Sequence, residues 1–241
     1  MAYKLAIFDL DGTILNTLED LAASVNFALK QNGLSPRTIE EVRQFVGNGI
    51  RNLIVRSVCA AEGVPVIEGT VVSPAFAPTL TPSEKDAFFS LIDSVHASFT
   101  AHYKIHCVDK TCPYEGIPEL LQSLRAEGVL TAVVSNKADY GVQELCAKFF
   151  PNMFDVALGE REGIKRKPAP DSIFAVMEQC GADKNETVYI GDSDVDIQTA
   201  RNAGIDCISV TWGFRSVAFL REHGASKIVE SAESVGRIIT A

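Results

Sequence analysis

The chain has 241 residues with 22 Lys and Arg against 31 Asp and Glu, a formal net charge of −9. That sign argues against a nucleic-acid partner, because a phosphate backbone asks for a basic face. The composition, 46% hydrophobic and 22% charged, is that of a globular chain with a core. No uncharged run of about 18 apolar residues occurs, so no membrane partner is expected. The opening "MAYKLAIFDLDG" lacks the long apolar region of a signal peptide. Six cysteines with no C-x-x-C pair are expected to be reduced thiols of a cytoplasmic protein.

In chain order, the first apolar run is "KLAIF" at 4–8, which stops on Asp9 and Asp11. Residues 15–112 then read as helical. "LEDLAASVNFALKQNG" puts Leu18, Leu21, Ala22, Val25, Ala28 and Leu29 on one face and closes at Asn32-Gly33. "TIEEVRQFV" opens with Thr38 and Glu41 at capping-box spacing, and "SEKDAFFSLIDSVHASFTAHY" is a third helix. Between them "GVPVIEGTVVSPAFAPTLTPS", 63–83, has no helical period and is expected to be an ordered loop or small hairpin. Beyond "CPYEGIPEL", short apolar runs alternate with helical patterns. The runs are "VLTAVVS" (129–135), "FDVAL" (154–158), "TVYIGD" (187–192), "CISVT" (207–211) and "KIVE" (227–230). Unalternating runs of this length suit strands buried on both faces of a parallel sheet. The pattern predicts an α/β fold: a doubly wound, Rossmann-like parallel sheet core of residues 1–14 and 113–241, with an inserted, mainly α-helical cap domain over 15–112.

Ligands of such sheets bind at the carboxyl ends of the strands. Asp9 and Asp11 follow the first strand, Ser135 and Asn136 the second, and "GDSDVD", with Asp192 and Asp196, a later one. Lys167 lies in the loop "KRKPAPD" before a helix. Singly, each has an ordinary use: D-x-D in turns and caps, Ser-Asn as a helix cap, and lysine as a solvated loop residue. An EF-hand is excluded, because the sixth position from Asp192 is Ile197 and the twelfth is Ala203. Converging carboxylates repel and raise one another's pKa. A divalent cation removes that conflict, and oxygen-only ligands in an open site suit Mg²⁺. A metal and a lysine together attract a phosphate dianion.

"DLDGT", "VVSNK", "KRKPAPD" and "GDSDVD" resemble the four motifs of the haloacid dehalogenase superfamily, along the whole chain. "GIPELLQSLRAEGVLTAVVSNK" and "VGNGI" are similar to its phosphoglycolate phosphatase branch. The resemblance implies Asp9 as nucleophile and Asp11 as general acid and base, with Gly12 letting backbone approach the phosphoryl group. It implies Mg²⁺ on Asp9, the carbonyl of Asp11 and Asp192, with Asp196 a direct or water-mediated ligand, and phosphoryl oxygens held by Ser135, Asn136 and Lys167. It further implies substrate selection in the cap, at Gly47, Asn48, Gly49 and Arg51, with Arg51, or Arg43 on the preceding helix, as the cation. The expected partner is a small-molecule phosphate ester, 2-phosphoglycolate first, acted on by a monomer or homodimer. Asp11 argues against dehalogenation, and the absence of lysine between Lys30 and Lys85 against a cap Schiff base. A sugar-phosphate phosphatase or phosphomutase remains open, although "GNGIR" is not the mutase G-x-S-R. So does a non-enzymatic phospho-accepting switch.

Overall fold

A computed structural model describes residues 3–63 and 81–241. The chain divides into two compact units, Met1–Asn16 with Cys112–Ala241, and Thr17–Thr111. The crossings lie slightly inside the expected insert. β2 (Leu15–Asn16) pairs antiparallel with β3 (Cys112–Pro113), and that short ladder keeps both segments with the sheet.

The first unit is built on β1 (Leu5–Phe8), β4 (Leu130–Ala138), β5 (Val156–Glu160), β6 (Thr187–Gly191), β7 (Asp206–Val210) and β8 (Lys227–Val229). They form one sheet in the order β5-β4-β1-β6-β7-β8, every pairing parallel. All four residues of β1 are buried, as a central strand covered on both faces must be. α7 (Asp171–Cys180) and α8 (Asp194–Ala203) cover one face. There Ile173, Val176, Ala200 and Ala203 meet Leu5, Ile7, Val134 and Tyr189. Each of these helices ends on a left-handed glycine, Gly181 and Gly204, where a side chain would be strained. α5 (Ile117–Ala126) and α10 (Ala232–Thr240) pack against each other, with Gly236 close to Leu120. α6 (Asp139–Phe149) lies against β4 and β5, and α9 (Val217–Glu222) follows β7. β4 runs three residues beyond the expected end at Ser135, because a register irregularity lets Ala138 pair with Glu160.

The second unit contains α1 (Leu18–Gln31), α2 (Ile39–Phe45), α3 (Ile50–Ala61) and α4 (Pro82–His106). Leu21, Ala22, Val25, Ala28 and Leu29 of α1 are buried, while Leu18 is half-buried. Thr38 and Glu41 form the capping box that their spacing indicates. Asp20 on α1 accepts N–H bonds from Lys110 and Thr111 and the Thr111 hydroxyl, which anchors the end of this unit to its start. Of the stretch 63–83, residues 64–80 lie outside the described residues. Its last residues open α4 rather than a loop, Thr81 capping it through Glu84. Among the described residues no helix is long and apolar enough to cross a membrane.

Candidate active site

The register of the sheet assembles the site. Phe8 pairs with Val133 on one side and Ile190 on the other. One step past this row come Asp9, Val134 and Gly191, and the next brings Ser135 and Asp192 to the same edge. β1 is also where the chain's winding reverses, since β4 and β5 lie on one side and β6, β7 and β8 on the other. A crevice opens at such a switch point.

Asp9 is buried and its Oδ1 is held twice, by the Leu10 N–H at 2.7 Å and by Lys167 Nζ at 2.9 Å. Among the described residues, Oδ2 of Asp9 accepts no hydrogen bond. Lys167, 4% exposed, spends its three donors on Asp9, on Asp196 Oδ1 at 2.8 Å and on the Tyr189 hydroxyl at 2.9 Å. Tyr189 in turn reaches the Val134 carbonyl at 3.1 Å. Both oxygens of fully buried Asp196 are occupied. Oδ1 faces Lys167 and Tyr189, and Oδ2 accepts from Ser193 Oγ (2.6 Å) and from the N–H groups of Ser193 and Asp192. Asp196 is thereby the N3 residue of the capping box that starts α8.

Asp192 takes the Thr13 hydroxyl on Oδ1 at 3.2 Å and the Phe214 N–H on Oδ2 at 2.7 Å. Two glycines make this approach possible. Gly12 has φ +83, and a Cβ there would lie 2.5 Å from Asp192 Oδ2. A Cβ on Gly213 would strike both Asp192 and the Gly12 carbonyl. The indole of Trp212 donates to the Thr13 carbonyl at 3.0 Å, which locks the loop after β7 onto the D-L-D-G-T turn. The apolar run at 207–211 gave no sign of this loop. An aromatic-Gly-aromatic triplet directly after a buried strand is the signal that marks it.

Ser135 does not cap α6, whose first residue follows Ala138 with no side-chain cap. Its Oγ instead accepts the Lys137 N–H at 3.2 Å, and Asn136 Nδ2 donates to the Lys167 carbonyl at 3.0 Å. Lys137 was also passed over in the sequence. Its side chain, 4% exposed, reaches Asp11 Oδ1 at 3.0 Å, and the Asp11 side chain is 15% exposed.

The electrostatics follow from this crowding. Burial first, then Asp196 and Asp192 nearby, push the Asp9 carboxyl up to about 8 against the opposing pull of Lys167. Burial, with Asp196, pushes Asp192 to about 7. Burial pulls the pKa of Lys167 down, but Asp196 and Asp9 outweigh it and the pKa is raised. Lys137 and Lys167 offset part of this crowding, and the buried Arg215 also pulls on Asp192. Asp194 faces the same Arg215, at 3.9 Å. Asp9, Asp192 and Asp196 each bring a carboxylate oxygen within 4.8 Å of the others, so the donor set fits a hard cation.

In the helical unit, Gly49 is the N-cap of α3 with φ 83 and no side-chain cap. Asn48 is tied down by fully buried Arg56, which donates to Asn48 Oδ1 at 2.7 Å and to the Phe45 carbonyl at 2.6 Å. Arg51 is exposed in an ion pair with Asp93 at 2.8 Å, and Arg43 pairs with Glu40 at 2.7 Å.

Residues 6–210 match the family model of the haloacid dehalogenase-like hydrolases. The chain belongs to that family and is a hydrolase of it. It is 33% identical over 215 residues to the phosphoglycolate phosphatase of Agrobacterium fabrum, covering 88% of this chain and 82% of that one. A crystal structure from Lactobacillus delbrueckii subsp. bulgaricus, of a protein provisionally assigned as a phosphoglycolate phosphatase, superposes with TM-score 0.89 at 40% identity, over 100% of both chains. That of a predicted phosphoglycolate phosphatase from Haemophilus somnus gives 0.82 at 26% identity, over 98% of this chain and 97% of the other.

Proposed function

We propose that this chain is a magnesium-dependent phosphatase that hydrolyses a small phosphate monoester through an aspartyl-phosphate on Asp9, with 2-phosphoglycolate as its substrate. The observation that carries the reading is the asymmetry of Asp9. One oxygen is fixed by Leu10 and Lys167 while the other takes no hydrogen bond among the described residues. A carboxylate so held presents a single, oriented nucleophilic atom.

In this reading Asp9 Oδ2 attacks phosphorus and the ester P–O bond breaks. Asp11 gives its proton to the leaving alkoxide, which departs as the alcohol. Asp11 then takes a proton from the water that attacks the acyl phosphate. The bond from phosphorus to Oδ2 breaks, and inorganic phosphate leaves. Ser135, Asn136 and Lys167 hold the phosphoryl oxygens, with Lys167 also offsetting the charge of Asp9. Asp9, the Asp11 carbonyl and Asp192 would hold Mg²⁺, which neutralises the crowded carboxylates and the phosphoryl charge. Asp196, whose oxygens are both bonded, fixes Lys167 and the start of α8 from behind. Gly47, Asn48, Gly49 and Arg51 would add substrate selection from the helical unit.

The names of the relatives support the choice of phosphoglycolate. The test is turnover with Mg²⁺ across phosphoglycolate, sugar phosphates, nucleoside monophosphates and p-nitrophenyl phosphate, with acid-quench trapping of phosphoenzyme. Sustained turnover with phosphoglycolate leading, abolished in Asp9→Asn, supports the reading. One retained equivalent of phosphate without turnover would make the chain a phospho-accepting switch. Hexose phosphates leading would replace the substrate and leave the core chemistry standing.

A further inference from the structure

Lys137 is a buried ammonium group that the phosphoryl chemistry above does not use. Its place is fixed. Its backbone N–H is held by Ser135 Oγ, its aliphatic stem lies at 3.4 Å from where a Cβ on Gly141 would sit, and its Nζ meets Asp11 Oδ1 at 3.0 Å. A cation this far from solvent is costly without an anion beside it. Asp11 supplies that anion in the structure. Lys167 already serves the phosphoryl side, through Asp9 and Asp196. Lys137 instead stands on the side of the group assigned to the leaving oxygen.

Distance sets what it can touch. An acid that protonates a leaving oxygen lies about 3 Å from it. Nζ of Lys137 is one further contact away, so it comes within roughly 6 Å of that oxygen once Asp11 is engaged. A carboxylate one methylene beyond the ester oxygen falls inside this reach, and an ammonium there is drawn to it more strongly than in water.

We infer that Lys137 is the specificity residue for a second anionic group on the substrate, borne two bonds from the ester oxygen, and that it exchanges Asp11 for that group when substrate binds. The inference rests on the proposed phosphatase reading and deepens it, since it puts selection for an anionic leaving group in the sheet unit itself. It is independent of the helical unit's Arg51, which is paired at the surface with Asp93.

The experiment compares kcat/KM for three esters of similar size: phosphoglycolate, ethyl phosphate and 2-aminoethyl phosphate, whose far ends are anionic, neutral and cationic. Wild-type protein and Lys137→Met are assayed at saturating Mg²⁺. The wild type is expected to favour phosphoglycolate over ethyl phosphate by at least tenfold and to disfavour the aminoethyl ester further. In Lys137→Met both ratios are expected to shrink at least tenfold, chiefly through KM, and inhibition by glycolate to weaken in parallel. If all three esters slow by the same factor and the ratios persist, Lys137 serves only to position Asp11. The inference is then overturned while the phosphoglycolate reading stands. A wild type that does not discriminate among the esters sinks both. Should Lys137→Met lose cooperative melting, Lys137→Gln removes the charge, keeps a donor toward Asp11, and is read by the same ratios.

Discussion

Phe214 gives its backbone N–H to Oδ2 of Asp192 at 2.7 Å, and so the loop after β7 aims a carboxylate delivered by β6. The contact exists because Gly213 has no side chain to hold the loop away. In Gly213→Ala the added methyl meets Asp192 and the Gly12 carbonyl, and backbone cannot move aside as a flexible side chain can. Overpacking of this kind costs about 1–3 kcal/mol. The expected outcome is a lower melting temperature and a loss of at least tenfold in kcat/KM with p-nitrophenyl phosphate. A variant that melts and turns over like the wild type would show that Asp192 does not depend on this loop.

The acids of the site link metal binding to pH. Asp9 lies near 8 and Asp192 near 7 without a metal, both raised from 3.8 mainly by burial. A carboxyl whose folded pKa is raised stabilises the metal-free fold fully below pH 3.8, and that contribution is lost as pH climbs through 7 and 8. Metal binding needs the ionised carboxylates and must expel the protons. Apparent Mg²⁺ affinity is therefore expected to rise steeply from pH 6 to pH 8. The melting temperature in chelator is expected to fall over the same interval, and saturating Mg²⁺ to offset that fall. Calorimetry in two buffers of different ionisation enthalpy counts the released protons. An affinity that does not change between pH 6 and pH 8 would contradict the assignment.

What could be read in the sequence was whatever rests on local pattern. The buried runs became strands because a central parallel strand has no polar face to show, and the acids ended them because a carboxylate needs the open edge. Thr38 and Glu41, or Gly181 and Gly204, act within a few residues of themselves and announce their helix ends. Lys137 and Tyr189 do not. Lys137 looks like any lysine at a strand end until Asp11, 126 positions earlier in the chain, is brought to 3.0 Å. Tyr189 reads as one more apolar residue of "TVYIGD", because its hydroxyl finds Lys167 only through the fold. Arg51 gives the reverse case. "VGNGIRN" suggests a cation beside a helix start, but whether that cation meets a surface carboxylate such as Asp93 depends on the packing of α3 against α4.

Tyr189→Phe examines how Lys167 is held. The substitution keeps the ring, which packs on the face of β1, and removes one of three partners of the ammonium along with the bond to the Val134 carbonyl. Buried groups left unpaired cost about 1–3 kcal/mol. Denaturant unfolding should show a loss of that order, and kcat/KM should fall by about 3- to 30-fold, far less than in Lys167→Met, where the cation itself is gone. Equal losses in the two variants would mean that the hydroxyl does more than orient the lysine.

Asp192 and Asp196 separate the metal from its surroundings. Among the described residues, the Asp192 carboxylate accepts from the Thr13 hydroxyl and the Phe214 N–H alone, which leaves lone pairs for a cation. The oxygens of Asp196 are taken by Lys167, Tyr189, Ser193 and the Asp192 N–H. Asp192→Asn is therefore expected to weaken Mg²⁺ binding at least tenfold, measured by calorimetry at pH 8. Asp196→Asn puts an amide where Oδ1 or Oδ2 accepted. It leaves a donor facing a donor, because Lys167 and Ser193 both give hydrogens to this side chain. Its main effect should fall on stability and on kcat through the displaced Lys167, with Mg²⁺ affinity changing less than in Asp192→Asn. Either orientation leaves one set of donors unmatched, Lys167 and Tyr189 or the capping box at Ser193, so unfolding should report a loss of about 1 kcal/mol or more. If Asp196→Asn instead abolishes Mg²⁺ binding while the fold and the pH profile of turnover at high Mg²⁺ are kept, Asp196 coordinates the metal directly and its hydrogen bonds are secondary.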